Sequence, residues 1–132
     1  MDLQLAGKAV IVTGGANNIG RGIVLAFAAE GARVLIADID EERAGQVAAE
    51  AGGEIAAQRT DVSSWESTQA MAARAVELFG RLAVLVNCAG VTSDTLLPDK
   101  PREAWGRGPA INVRGFAHCT PAGRPRRARQ GA

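Results

Sequence analysis

The sequence predicts an α/β fold built on a parallel sheet. Three observations carry that reading. First, nearly unbroken apolar runs of strand length recur at Leu5 to Thr13, Arg33 to Ala37 and Leu82 to Asn87. Strands buried on both faces read this way, without polar alternation. Second, amphipathic helical stretches fall between the strands, over Asn18 to Glu30, from Asp40 or Glu41 to Ala51, and from the Ser63–Glu66 stretch to Phe79. Third, glycine follows each helix, as Gly31, Gly52-Gly53 and Gly80, where a left-handed residue ends a helix at least cost. Strand, helix and strand in this rhythm imply right-handed crossovers.

The first strand stops at Thr13-Gly14-Gly15, and the first helix opens within a few residues. A tight glycine turn feeding a helix leaves backbone N–H groups free at the positive end of the helix dipole, where a pyrophosphate is held. Gly14 and Gly20 lie six residues apart, with Asn18 and Ile19 between them. Asn18 stands where a further glycine is expected, and asparagine tolerates positive φ better than most residues. The second strand ends at Asp38, 18 residues after Gly20. A carboxylate there can accept both hydroxyls of a ribose. A weaker third strand, Ile55 to Thr60, ends at Asp61-Val62, and Ser63 with Glu66 has the spacing of a capping box. The fourth strand runs into Asn87-Cys88-Ala89-Gly90.

After Gly90 the alternation fails. Val91 to Lys100 reads as a loop, and Pro101 suits the first turn of a helix that Gly106, Gly108 and Pro109 interrupt. Ala110 to Cys119 resumes as a short helical segment. Thr120 to Ala132 has no apolar periodicity and reads as a disordered basic tail. The expected organisation is one domain over residues 1–119 and a tail over 120–132.

Charge follows the same division. Residues 1–119 hold all 14 acidic residues and 11 of the 15 basic ones, and the tail holds the other four, Arg124, Arg126, Arg127 and Arg129. Four arginines with no interleaved aromatics read as a solvated tail rather than a nucleic-acid surface. No run approaches the roughly 20 apolar residues of a membrane span. The N-terminus lacks the pattern of a signal peptide, so a cytoplasmic location is the expectation. Cys88 and Cys119 have neither metal-ligand spacing nor a disulfide framework. Cys88 reads as a buried, inert thiol, and no metal site is expected.

Thr13-Gly14 with Gly20 resembles the T-G-x-x-x-G-x-G loop of the short-chain dehydrogenase/reductase family, with Asn18 replacing its middle glycine. Asp61-Val62 resembles that family's adenine-contacting pair. Asn87-Cys88-Ala89-Gly90 resembles its N-N-A-G motif, and Ile111-Asn112-Val113 its N-V segment. The matches stand in the family's order and cover Leu5 to about Cys119. The resemblance implies a Rossmann-like three-layer sandwich with strand order 3-2-1-4, incomplete here. It implies a nicotinamide dinucleotide held by Gly14, Asn18, Ile19, Gly20, Asp38, Asp61, Val62, Asn87, Ala89 and Gly90. Asn112 would match the asparagine of the catalytic tetrad. Asp38 with no cation beside it in sequence favours NAD over NADP.

The same resemblance makes the missing residues informative. The family's chemistry uses a serine, a tyrosine and a lysine four residues after the tyrosine. This sequence has no tyrosine, and its lysines are Lys8 and Lys100. The change to Pro, Gly and Arg after about residue 119 resembles a reading-frame change or a truncation. Two readings follow. One is an alcohol/carbonyl oxidoreductase by kinship, whose 132-residue chain binds cofactor without turnover. The other is a non-catalytic dinucleotide-binding or interaction module on the same half-fold.

Overall fold

The computed structural model describes residues 1–90, 110–115 and 117–121. Four strands, β1 (Ala9–Thr13), β2 (Arg33–Asp38), β3 (Ile55–Arg59) and β4 (Val84–Asn87), form one sheet in the order β3-β2-β1-β4. All three pairings are parallel, with Val10 opposite both Val34 and Val84, and Asp38 opposite Arg59. The helices between them are α1 (Asn18–Ala29), α2 (Glu41–Ala51) and α3 (Trp65–Phe79).

Alternate residues of a strand face opposite sides of the sheet, and β1 and β2 bury both sets. Val10, Val12, Val34 and Ile36 pack with Val24 of α1 and with Ala44 and Val47 of α2. Ala9, Ile11, Leu35 and Ala37 pack with Met71, Ala75 and Phe79 of α3 and with Cys119. This gives helix, sheet and helix layers with a core on each face. The central strands are apolar throughout because neither face meets water. Burial falls off at β4, where Val84, Leu85 and Val86 are half-buried and Asn87 is exposed.

The helix ends follow local chemistry. The Asp40 side chain accepts the Arg43 amide at 3.0 Å and caps α2, while Gly80 ends α3 in the left-handed region with φ 77°. The cap of α3 differs from the expected one. Ser64, not Ser63, is the N-cap and accepts the Ser67 amide at 3.3 Å, because the Ser63 hydroxyl is turned to Asp61. Two strands also begin later than expected. Residues 5–8 form a turn, with Lys8 N–H donating to Leu5 O at 2.9 Å, since β2 offers no partner before Arg33. Likewise β4 starts at Val84, where pairing with β1 begins.

The last described segment is helical as expected, but opens as a π-helical turn, Ala110–Arg114. Helical backbone over 117–121 ends two residues past Cys119, inside the expected tail. The expected loop at Val91 to Lys100, the interrupted helix at Pro101 and most of the basic tail lie outside the described residues.

Candidate cofactor-binding site

Parallel strands bring their C-terminal ends to one edge of the sheet. Gly14, Asp38, Asp61-Val62 and Asn87 to Gly90 therefore meet there, although the sequence scatters them over more than 70 positions.

The glycine turn is shaped by close approach. Gly14 has φ 68°, donates its amide to Ala37 O at 2.8 Å, and would place a Cβ 2.7 Å from Ala89 Cα. A Cβ on Gly20 would fall 2.0 Å from Gly14 O. One glycine lets the turn lie on the end of β4, and the other lets α1 start against the turn. Asn18 occupies the left-handed region, with φ 50°, as expected of asparagine in a glycine's place. The Asn17 side chain makes no cap hydrogen bond. The amides of Asn18, Ile19 and Gly20 are the first-turn donors that helix geometry leaves without an intrahelical acceptor, and they lie beside the exposed Ile19 side chain.

Asp38 faces this turn. Its Oδ2 accepts the Ala16 amide at 3.1 Å and its Oδ1 accepts the Asp40 amide at 3.0 Å. A carboxylate has about four lone-pair positions, so acceptor capacity is left for a ligand hydroxyl. Asp38 is thus also the tether of the glycine turn, a role its sequence position did not announce.

Asp61 and Val62 form the next wall. Ser63 donates its hydroxyl to Asp61 Oδ1 at 2.6 Å and its amide to the same oxygen at 2.9 Å. The hydroxyl hydrogen bond is the main cause holding the Asp61 carboxyl below the usual aspartate value. Burial opposes it, and the Ser63 amide and the Arg59 charge add to it. Val62 is buried, with its carbonyl 3.0 Å from His118 Nδ1.

Thr13 closes the site from below. Its Oγ1 donates to Val86 O at 3.3 Å and accepts the amides of Cys88 at 3.0 Å and Ala89 at 3.2 Å. Asn87 donates from Nδ2 to Thr120 Oγ1 at 3.4 Å. Gly90 lies beside Asn112, whose Oδ1 would be 3.2 Å from a Cβ on Gly90. Cys88 is half-buried rather than buried, packed on the α1–α2 side of the sheet. Cys119 is the buried thiol, and burial pushes it up to about 11. Among the described residues no three His, Cys, Asp or Glu side chains form a metal-ligand group.

These residues line two adjoining hollows. The larger, a cleft of about 720 Å³ including its open mouth, has Gly14, Asp38, Asp61, Val62, Gly90 and Ile111 on its walls. The smaller, about 280 Å³, lies between Thr13, Asn87, Ala89, Asn112 and Cys119. Val62 and Ala89 border both. All the site residues expected from sequence except Asn18, Ile19 and Gly20 line one hollow or the other, and those three form the helix start that packs on Gly14. Sequence reasoning did not single out Arg59, Ser63 or His118 for this site. Arg59 lies 21 positions after Asp38, and only strand register makes them neighbours.

The model of the short chain dehydrogenase family matches residues 8–132, and the chain belongs to that family. An uncharacterized oxidoreductase of Thermotoga maritima is 38% identical over 121 residues, 89% of this chain and 47% of the relative. The D-threitol dehydrogenase of Mycolicibacterium smegmatis is 38% identical over 127 residues, 93% of this chain and 49% of the relative. The chain thus spans about half the length of the curated relatives it matches. A short chain dehydrogenase/reductase from Burkholderia phymatum, solved in complex with NAD, superposes with a TM-score of 0.93 at 30% identity, over 98% of this chain and 47% of that one. The expected fold and strand order are those observed, as part of the fold of these neighbours.

Proposed function

We propose that this chain binds a nicotinamide dinucleotide, NAD(H) in preference to NADP(H), as the cofactor half of an alcohol/carbonyl oxidoreductase. The observation that carries the reading is that the helix-start amides of Asn18, Ile19 and Gly20, uncapped by the Asn17 side chain, and the Asp38 carboxylate stand at the same sheet edge. The amides suit a pyrophosphate. The free lone pairs of Asp38 suit ribose hydroxyls and oppose a 2′-phosphate. Ala37, Val62 and Ile111 give the cleft apolar walls for a flat base. Asn87, Ala89 and Gly90 would border the nicotinamide side, with Asn112 beside them. When bound, the nicotinamide supplies a hydride donor or acceptor.

The Burkholderia structure holds NAD, and D-threitol dehydrogenase is named for an alcohol substrate. Both support a nicotinamide cofactor and an alcohol or ketone as the chemistry of the completed protein. The second reading, a dinucleotide-binding module without catalysis, is favoured by one observation: the chain contains no tyrosine to serve as the family's proton donor. Calorimetric titration with NADH and NADPH tests the binding. Saturable NADH binding that exceeds NADPH binding is expected, and equal or tighter NADPH binding would overturn the preference.

A further inference from the structure

Val62 stands on the wall shared by the two hollows, and it is gripped from the 110–121 segment in two ways. His118 Nδ1 lies 3.0 Å from its carbonyl oxygen. Gly115 lies against its side chain so closely that a Cβ there would come within 2.6 Å of Val62 Cγ2. A carbonyl oxygen only accepts, so Nδ1 must carry the proton. The half-buried imidazole is further fixed by Trp65, the first residue of α3, whose ring meets it edge to face at 5.8 Å and 88°. Trp65 follows directly on the Ser63-Ser64 turn that braces Asp61. One imidazole therefore meets both Val62 and Trp65, on either side of the Ser63-Ser64 turn.

We infer that His118 is a positioning residue for the adenine end of the cofactor site: through the Val62 carbonyl it sets where the Asp61-Val62 wall stands. The inference rests on the proposed dinucleotide binding. His118 makes no contact with cofactor in this account and moves no proton. Its contribution is a hydrogen bond that keeps Val62 from drifting into the cleft or away from it.

The stereochemistry makes the test specific. Asparagine places its Nδ2 donor near the position of the histidine Nδ1, whereas glutamine carries its amide one methylene further out. His118→Asn should therefore bind NADH like wild type. His118→Ala and His118→Gln should bind it about fivefold more weakly, the size of one net hydrogen bond. Reduced nicotinamide mononucleotide, which lacks the adenosine half, should bind all four proteins equally. Circular dichroism melts accompany the titrations. If His118→Ala does not fold, the Asn and Gln variants decide the matter alone. Equal NADH affinity for wild type, Asn and Gln variants would overturn the inference while leaving the cofactor reading intact. So would a loss that appears equally with the mononucleotide. A wild-type chain that folds and takes up neither nucleotide would overturn the cofactor reading, and this inference with it.

Discussion

The Thr13 hydroxyl accepts the Ala89 amide at 3.2 Å and so ties the end of β1 to the loop after β4, 76 residues further on. The same oxygen accepts the Cys88 amide and donates to Val86 O. Thr13→Val keeps the shape and removes the hydroxyl, leaving those three backbone groups without their partner. We expect a loss of about 1–3 kcal/mol in urea unfolding, with Thr13→Ser recovering most of it. A valine variant within about 0.5 kcal/mol of wild type, the range of an ordinary surface substitution, would show that Thr13 does not hold the two strand ends together.

The tether that Asp38 makes and the ribose contact proposed for it separate by substitution. Asp38→Ala removes both the proposed ribose acceptor and the observed tether to the Ala16 amide. Hydrogen bonds to charged groups are worth about 1.5–3 kcal/mol, so NADH affinity should fall by about 10- to 100-fold. Asp38→Asn keeps an acceptor for Ala16 but loses the charge that opposes a 2′-phosphate, so its NADH-to-NADPH ratio should move toward unity. Arg59 is the register partner of Asp38 across β2 and β3. Arg59→Ala should lower whatever NADPH binding the Asp38→Asn variant gains. Calorimetry on the three variants and the double mutant reads all of this. An unchanged cofactor ratio in Asp38→Asn would be the contrary result.

The fold was legible because β1 and β2 are buried on both faces, and unbroken apolar runs such as Val10 to Val12 leave no other reading. The glycine turn was legible for a steric reason. Gly14 and Gly20 stand where a Cβ would strike Ala89 and Gly14 itself, so their spacing records the close approach. What the sequence hid depends on tertiary register. Arg59 meets Asp38 only through strand pairing, and His118 reaches Val62 across 56 positions. The spacing of Ser63 to Glu66 fits a helix cap. The Ser63 hydroxyl instead serves Asp61, and the neighbouring Ser64 takes the cap.

That choice by Ser63 has a pH signature. The folded-state Asp61 carboxyl is held below its ordinary 3.8, chiefly by the Ser63 hydroxyl. A depressed carboxylate contributes stability that is complete above its unfolded value and fades as pH falls through the folded one. Ser63→Ala should raise the Asp61 midpoint in a carboxyl-carbon NMR titration. The variant should be the less stable protein at neutral pH, with the gap narrowing below about pH 4. An unmoved midpoint would assign the shift to another cause.

Among the described residues, β4 is the edge of the sheet, and its Val84, Leu85 and Val86 are half-buried where β1 is fully enclosed. An apolar edge with free backbone groups is a template for association. The purified 132-residue chain should therefore scatter light increasingly with concentration in the micromolar range and melt over a broad interval. A monomer with a sharp, concentration-independent melt would show that this edge is already covered.

The last prediction concerns turnover. Hydride transfer to a carbonyl leaves an oxygen that needs a proton from a donor within hydrogen-bond reach. In the smaller hollow, the side chains of Thr13, Asn87 and Asn112 can hydrogen-bond, but none titrates near neutral pH. The thiol there, Cys119, is pushed up to about 11 by burial, so giving up its proton would leave a thiolate that its buried position disfavours. The ring of His118, the one imidazole of the chain, is engaged with Val62 and Trp65, away from the smaller hollow's lining. Losing a general acid commonly costs a factor of about 10²–10⁴. NADH absorbance followed with a panel of ketones and alcohols should therefore show binding without measurable oxidation or reduction by this chain. Turnover that is abolished in Asp38→Ala would reveal a proton donor outside the described residues. His118→Ala would be the control that clears the one imidazole.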